Sequence, residues 1–205
     1  MPETPRISPG TRADVGRVNF AIARVLGAAT GGGPPNIFTT LGRHRGLFRK
    51  WLRFASALMP GGVLPREESE LLILRTAHNC GCEYEWHHHA RLARAAGLSA
   101  DEVERVRRDT DDAWSPRRAA MLTAADELHA NRNISNDTWS RLTEFLSDVE
   151  LIELCLLVGH YEMLAMTLNA LGVQPDRAPS GRRTRLMRVI DVVTARRARP
   201  RSSAS

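Results

Sequence analysis

The chain has 205 residues and a net charge of +6, with 42% hydrophobic and 25% charged residues, a length and balance that fit one packed domain with tails and exclude a globally disordered chain. Aromatics make up 5%, so the core must be built from Leu, Ala, Val, Ile and Met, which suits helices better than a β-sandwich. Three cysteines, Cys80, Cys82 and Cys155, are too few for a secreted disulfide framework.

Residues 1–12 are polar and proline-rich, with Pro2, Pro5 and Pro9, and read as a flexible tail. They lack an apolar signal core, so a cytoplasmic location is expected. Val15, Val18, Ile22, Val25 and Leu26 predict a helix over 13–29, and Gly31, Gly32, Gly33, Pro34 and Pro35 break it. That glycine run lacks the Gly-Lys-Ser/Thr ending of a phosphate loop and reads as a connector. A second amphipathic stretch covers 40–58, with Leu47, Trp51, Phe54 and Leu58. Pro65 opens a third helix, with Glu67, Glu68 and Glu70 near the positive end of its dipole.

A fourth helix runs from Cys82 to Ala96 and is closed by Gly97. Ser99 and Glu102 form a capping box for a fifth. Ser115-Pro116 starts a sixth; Asn136 to Leu146 and Asp148 to Leu171 give two more, and a final helix is expected over Thr184 to Ala195. No segment alternates at period two between hairpin turns, so the fold class is all-α, a single helical domain over 13–176. No apolar run is read as membrane-spanning. Lys50 is the only lysine, and arginines crowd the extension 177–205. With no aromatic interleaved for base stacking, that extension reads as a solvated terminus rather than a nucleic-acid contact.

The informative segment runs from Glu70 to Arg91 and includes Cys80-Gly81-Cys82-Glu83-Tyr84-Glu85-Trp86-His87-His88-His89. Cys82, Glu85 and His89 stand at i, i+3 and i+7, within about 60° of one another on a helix at about 100° per residue. A thiol, a carboxylate and an imidazole then line one stripe, which continues into Leu92 and Ala96 and faces inward. Polar groups on an inward stripe need partners or a task. Three consecutive histidines point about 100° apart and cannot share one ion. Glu85 and His88 make one Glu-x-x-His pair with no second pair in the chain, so neither a metal nor another cofactor is assigned.

The segment Glu70 to Gly97 resembles the signature of the carboxymuconolactone decarboxylase and alkylhydroperoxidase-D-like superfamily. Its peroxidase members carry a glutamate, then Cys-x-x-Cys and a histidine on one helix. Here Glu70 matches the glutamate, Cys82 the first cysteine and His89 the histidine, while Glu85 stands in place of the second cysteine. The ending Ala-Arg-Leu-Ala-Arg-Ala-Ala-Gly-Leu-Ser is also similar, as is Gly159-His-Tyr-Glu-Met-Leu-Ala. The Cys-Glu-Tyr-Glu-Trp-x-x-His form resembles the decarboxylase-like branch. The resemblance spans roughly 40–175, is specific for the superfamily, and is weak for substrate. It implies an alkylhydroperoxidase-D-like helical bundle that assembles as a homo-oligomer (dimer, trimer or hexamer), for which Trp51, Phe54 and Trp86 offer apolar contact surface.

The first functional expectation is a cofactor-free acid–base enzyme acting on a small organic acid or lactone. Loss of carbon dioxide leaves a carbanion that the substrate's own carbonyl can delocalise, so the protein must stabilise an enolate and deliver a proton. His89 is the natural acid or base, Glu85 its partner on the same face, and Glu70 would fix the other ring nitrogen if the helices pack side by side. Arg75 and Arg91 are candidates for the substrate carboxylate, and His78, His160 and Tyr161 for further pocket contacts. The alternatives are a thiol-dependent peroxidase using Cys82 and a non-catalytic helical binding protein. A peroxidase needs a resolving thiol near the first. Cys80, two residues before Cys82, points away on a continuous helix and comes within reach only if Gly81 breaks it.

Overall fold

The computed structural model describes residues 4–29, 32–108 and 113–176, so the arginine-rich extension and its expected helix lie outside the described residues. Among the described residues there are ten helices and no strand, as an all-α chain requires. They are α1 (Arg12–Val15), α2 (Arg17–Ala29), α3 (Asn36–Leu41), α4 (Arg45–Leu58), α5 (Arg66–Asn79), α6 (Glu83–Ala96), α7 (Ala100–Arg105), α8 (Pro116–Asn131), α9 (Asn136–Thr143) and α10 (Asp148–Leu171). The chain divides into two compact units, one containing Ile7–Arg53 and the other Phe54–Pro175 with the segment ending at Arg6.

In the Ile7–Arg53 unit, two expected helices are each split. Gly16, at φ 83, ends α1 before α2 starts, because the left-handed backbone cannot continue an α-helix. Gly42 to His44 separate α3 from α4. The expected flexible tail is also tied down where it joins this unit. Thr11 caps α1 in a reciprocal box with Asp14, Gly10 N–H donates to the Thr39 carbonyl at 3.1 Å, and Arg43 reaches the Ser8 carbonyl. Phe38, Phe48 and Trp51 pack edge-on and tilted at 6.0–6.2 Å inside this unit.

In the Phe54–Pro175 unit, α5 is the central helix. Leu71, Leu72, Ile73 and Leu74 are consecutive and fully buried, so every face of α5 is covered, by α6, α8 and α10. Each such side chain stabilises the fold by about 1.5–3 kcal/mol of transfer free energy. Leu74, Ala77, Trp86, Ala93, Leu98 and Val103 join the core beneath α6 and α7. The expected caps form: Ser99 and Glu102 cap α7 reciprocally, and Ser115 with Pro116 at the first helical position starts α8.

Ser147 and Glu150 cap α10 in the same way. By length and composition α10 is apolar enough to cross a membrane, in contrast to the expectation that no apolar run does so. Its Leu154, Leu157, Val158, Ala165 and Leu168 are buried on α5 and α8 within the unit, the burial pattern of a core helix. Its Glu153 carboxylate accepts the amides of Val63 and Leu64, and a side chain at Gly62 would collide with it.

Candidate active site

The site is built on the hairpin of α5 and α6. Gly81, at φ 57, takes the left-handed position after α5. Its amide donates to the His78 carbonyl, and the Cys82 amide to the Ala77 carbonyl, which satisfies the carbonyls at the helix end. The chain then re-enters α6 at Glu83. Cys82 is therefore the cap of α6, extended at φ −95 and ψ 91, rather than a member of the helical stripe. Glu85 and His89 are one turn apart on the inward face, which continues to Ala93 rather than through Leu92 and Ala96.

His89 is held at both ring nitrogens. Nδ1 meets Glu70 Oε2 of α5 at 2.7 Å, and Nε2 meets Glu85 Oε2 at 3.2 Å. Glu70 Oε1 in turn pairs with Arg66 at 2.6 Å. Glu70 is fully buried, and Glu85 and His89 are 2% and 5% exposed. Burial pushes the His89 pKa down, but the charges and hydrogen bonds of Glu70 and Glu85 outweigh it and raise the pKa to about 9. The ring is thus an imidazolium at neutral pH. Cations and carboxylates alternate along Arg66, Glu70, His89 and Glu85, which is how a buried chain of charges is compensated. The second oxygen of Glu85, Oε1, is buried and has no hydrogen-bond partner among the described residues.

Cys82 is 1% exposed. Burial pushes its thiol up to about 11; the amides of Glu85 and Tyr84 pull the other way, and the Glu85 charge adds to the rise. Tyr161 of α10 stands edge-on to His89, with centroids 5.1 Å apart and planes at 88°. Burial and then the charges of Glu85 and Glu70 raise its phenol well above the ordinary value, so it stays a neutral donor. His160 packs on Tyr161 at 5.2 Å and on Phe54 at 5.3 Å. Burial lowers its pKa to about 4, which leaves it neutral. Phe54 is 43% exposed, so an aromatic run leads from the surface to His89.

Four of the expected site residues, Glu70, Glu85, His89 and Tyr161, come together, with Cys82 at the helix start beside them. Arg75 does not join them. Its guanidinium forms a bidentate pair with Asp126 at 2.6 and 2.7 Å and donates to the carbonyls of Val106 and Arg108. Those bonds tie α5 to α8 and to the end of the segment after α7. Arg91 is exposed. His78 is exposed and lies edge-on to Trp86 at 6.3 Å. Trp86, expected at a helix or subunit contact, is a core residue with Arg107 stacked 3.8 Å from its ring centroid. Arg66 was missed, although its i, i+4 spacing to Glu70 was a usable signal. A cavity of about 620 Å³ lined by Arg12, Ala13, Gly16, Arg17 and Arg45 contains none of these groups.

Comparison with known proteins agrees with this architecture. Residues 45–127 match the profile of the carboxymuconolactone decarboxylase family. No curated protein matches the sequence. Among solved structures, an alkylhydroperoxidase AhpD core, a peroxidase-related protein from Ralstonia eutropha JMP134, superposes with a TM-score of 0.74 at 21% identity, covering 83% of this chain and 93% of that one. A peroxidase-related protein from Silicibacter sp. TM1040 gives 0.71 at 16% identity, covering 82% and 89%. The debrominase Bmp8, in a cysteine-to-alanine variant complexed with 2,3,4-tribromopyrrole, gives 0.73 at 16% identity, covering 96% and 99%. The glutamate–histidine–glutamate chain lies on the hairpin that this profile spans, so residues 45–127 are similar to the carboxymuconolactone decarboxylase family and the chain has the fold of AhpD-like structures.

Proposed function

We propose that the protein is a cofactor-free acid–base enzyme acting on a small organic acid or lactone in the cytoplasm, with Glu85 as the group that exchanges a proton with substrate. The observation that carries this reading is the unpartnered Oε1 of Glu85, buried while Oε2 is held by His89. A buried carboxylate oxygen without a partner is costly and is explained by a task. His89, with both nitrogens occupied, is then the positioning group and proton reservoir rather than the atom that meets substrate. In a decarboxylation, the electron pair of the carbon–carboxylate bond moves into the substrate's conjugated carbonyl and carbon dioxide leaves. The proton for the enolate carbon comes from the His89 imidazolium: the Glu85 carboxylate takes it up and delivers it to that carbon, returning to carboxylate, and solvent restores the imidazolium. Tyr161, neutral and adjacent, supplies a donor for the developing enolate oxygen.

A thiol-dependent (hydro)peroxidase using Cys82 is the second reading. Cys82 caps α6 next to the relay, and similar folds include peroxidase-related proteins. Against it, the thiol is pushed up to about 11 and Glu85 occupies the place of a resolving cysteine. A non-catalytic binding protein is the third. We also propose a homo-oligomer, but through a different surface from the one expected. Trp51 packs with Phe38 and Phe48 and Trp86 is buried, whereas Val149, Ile152, Leu156, Met163 and Met166 form an exposed seam on α10. With Gly159 they repeat at alternating steps of three and four, the spacing that faces another helix.

The test is a turnover screen of lactone acids, hydroperoxides and brominated pyrroles. Glu85→Gln should lower turnover about 10²–10⁴-fold while Cys82→Ser keeps most of it. The reverse pattern transfers the assignment to the thiol reading, and saturable binding without turnover transfers it to the binding reading.

A further inference from the structure

A second cluster of chemically competent side chains shares no residue with the first. Cys80 ends α5, His129 lies in the last turn of α8, and Glu162 lies on α10. Their donor atoms all lie within 4.8 Å of one another. Both Cys80 Sγ, at 3.9 Å, and Glu162 Oε1, at 2.6 Å, approach the same ring nitrogen, His129 Nδ1. A nucleophile–base–carboxylate triad needs the thiol on one imidazole nitrogen and the carboxylate on the other. Here the arrangement differs: three donors of three types converge on one point.

We infer that Cys80, His129 and Glu162 form a binding site for a single divalent transition-metal ion of the zinc class, with a fourth, open position for water. A thiolate, an imidazole and a carboxylate are the ligand types that such an ion takes, and three protein ligands with one open position is a recurrent arrangement. Metal–ligand bonds of about 2.0–2.3 Å in tetrahedral geometry set donor–donor edges of about 3.3–3.7 Å. The Cys80–His129 separation is already close to that edge, and the His129–Glu162 contact opens by less than an ångström.

The backbone of the site is fixed before any ion arrives. The Cys80 amide caps α5 at the Thr76 carbonyl, and Asn169 Nδ2 holds the Cys80 carbonyl at 2.9 Å. Asn79, next to Cys80, bonds Asp126, one turn before His129, at 2.8 Å. Arg75 braces the same Asp126. The site is also reachable, since the side chain of His129 is 35% exposed and that of Glu162 is 12% exposed. Arg132 lies 3.9 Å from the second oxygen of Glu162, and at 71% exposure its side chain can turn to solvent as a cation binds. Burial and then the hydrogen bond with Glu162 keep the Cys80 thiol protonated, so binding releases that proton as the sulfur–metal bond forms.

The experiment is a titration of the reduced, full-length chain with cobalt(II) alone, read by sulfur-to-cobalt charge-transfer absorption, followed by displacement with zinc. One equivalent should develop the band, and zinc should remove it. Cys80→Ser should abolish it, Cys82→Ser and Cys155→Ser should leave it, and His129→Ala should weaken cobalt binding by about tenfold or more. Circular dichroism establishes that each variant is folded. Should Cys80→Ser not fold, Glu162→Gln serves as the second ligand variant, with the same expected weakening. A wild-type chain that shows no band, or a band that survives Cys80→Ser or depends on Cys82, overturns the site.

Discussion

Two clusters in the Phe54–Pro175 unit draw on the same three residue types and arrange them in opposite ways. In the first, His89 is enclosed between Glu70 and Glu85, one carboxylate per ring nitrogen, and the thiol of Cys82 stands aside at the start of α6. In the second, Cys80 and Glu162 crowd onto one nitrogen of His129, and the ring is partly exposed. Two carboxylates in line with a buried ring store and pass a proton. Three convergent donors near solvent suit a cation. Residue type alone does not assign chemistry; the nitrogen each partner chooses, and access to water, do so.

That contrast can be broken from either side. The largest expected effect is on the first cluster. His89→Ala should lower turnover by about 10²–10⁴-fold, because it removes the proton reservoir, and should leave the cobalt absorption of the second cluster intact. Loss of both readouts in a folded variant would show that the clusters are one site.

The next effect falls on the brace between them. Arg75→Ala removes a bidentate pair to Asp126 and two bonds to loop carbonyls. It should lower unfolding free energy by about 1.5–3 kcal/mol in urea denaturation. Because Asp126 also holds Asn79 beside Cys80, cobalt binding should weaken more than turnover does. Equal loss of both would indicate that Arg75 serves the unit as a whole.

The smallest effect on either cluster is expected from the α10 seam. Ile152→Arg with Leu156→Arg should convert an oligomer to a monomer in light scattering, because two charges would enter an apolar helix contact. An unchanged mass, or a wild-type chain already monomeric, would remove the seam as an interface.

The sequence made the helical hairpin legible because its signals are local. Pro65, Gly97 and the Ser99–Glu102 box mark helix ends within a few residues, and the spacing of Glu85 and His89 puts them on one face. Glu70 was identified by resemblance, and its distance from His89 could be closed only by the turn at Gly81. Cys82 was misplaced onto the helix because a cap and a first helical residue carry the same sequence pattern. Arg75 reads as a candidate for the substrate carboxylate because nothing local reveals Asp126, fifty-one residues away. The second cluster was illegible for the same reason, with its members separated by 49 and 33 residues. The alternation of buried and exposed positions on α10 was also hidden, since both faces of that helix are apolar and only packing distinguishes them.

The central claim is that His89 is held as an imidazolium between two carboxylates, and nitrogen-15 NMR of its ring reads this directly. Both nitrogens should be protonated at neutral pH, with titration near a pKa of about 9. The same shift fixes the sign of the stability dependence. A folded pKa raised above the unfolded value of about 6.5 contributes stability that is complete below that value and lost as pH rises through about 9. Unfolding free energy should therefore fall across that window, by at most about 1.4 kcal/mol per pH unit for one proton, and His89→Gln should flatten the slope. A neutral ring with one protonated nitrogen at neutral pH, and a flat wild-type profile, would contradict the relay.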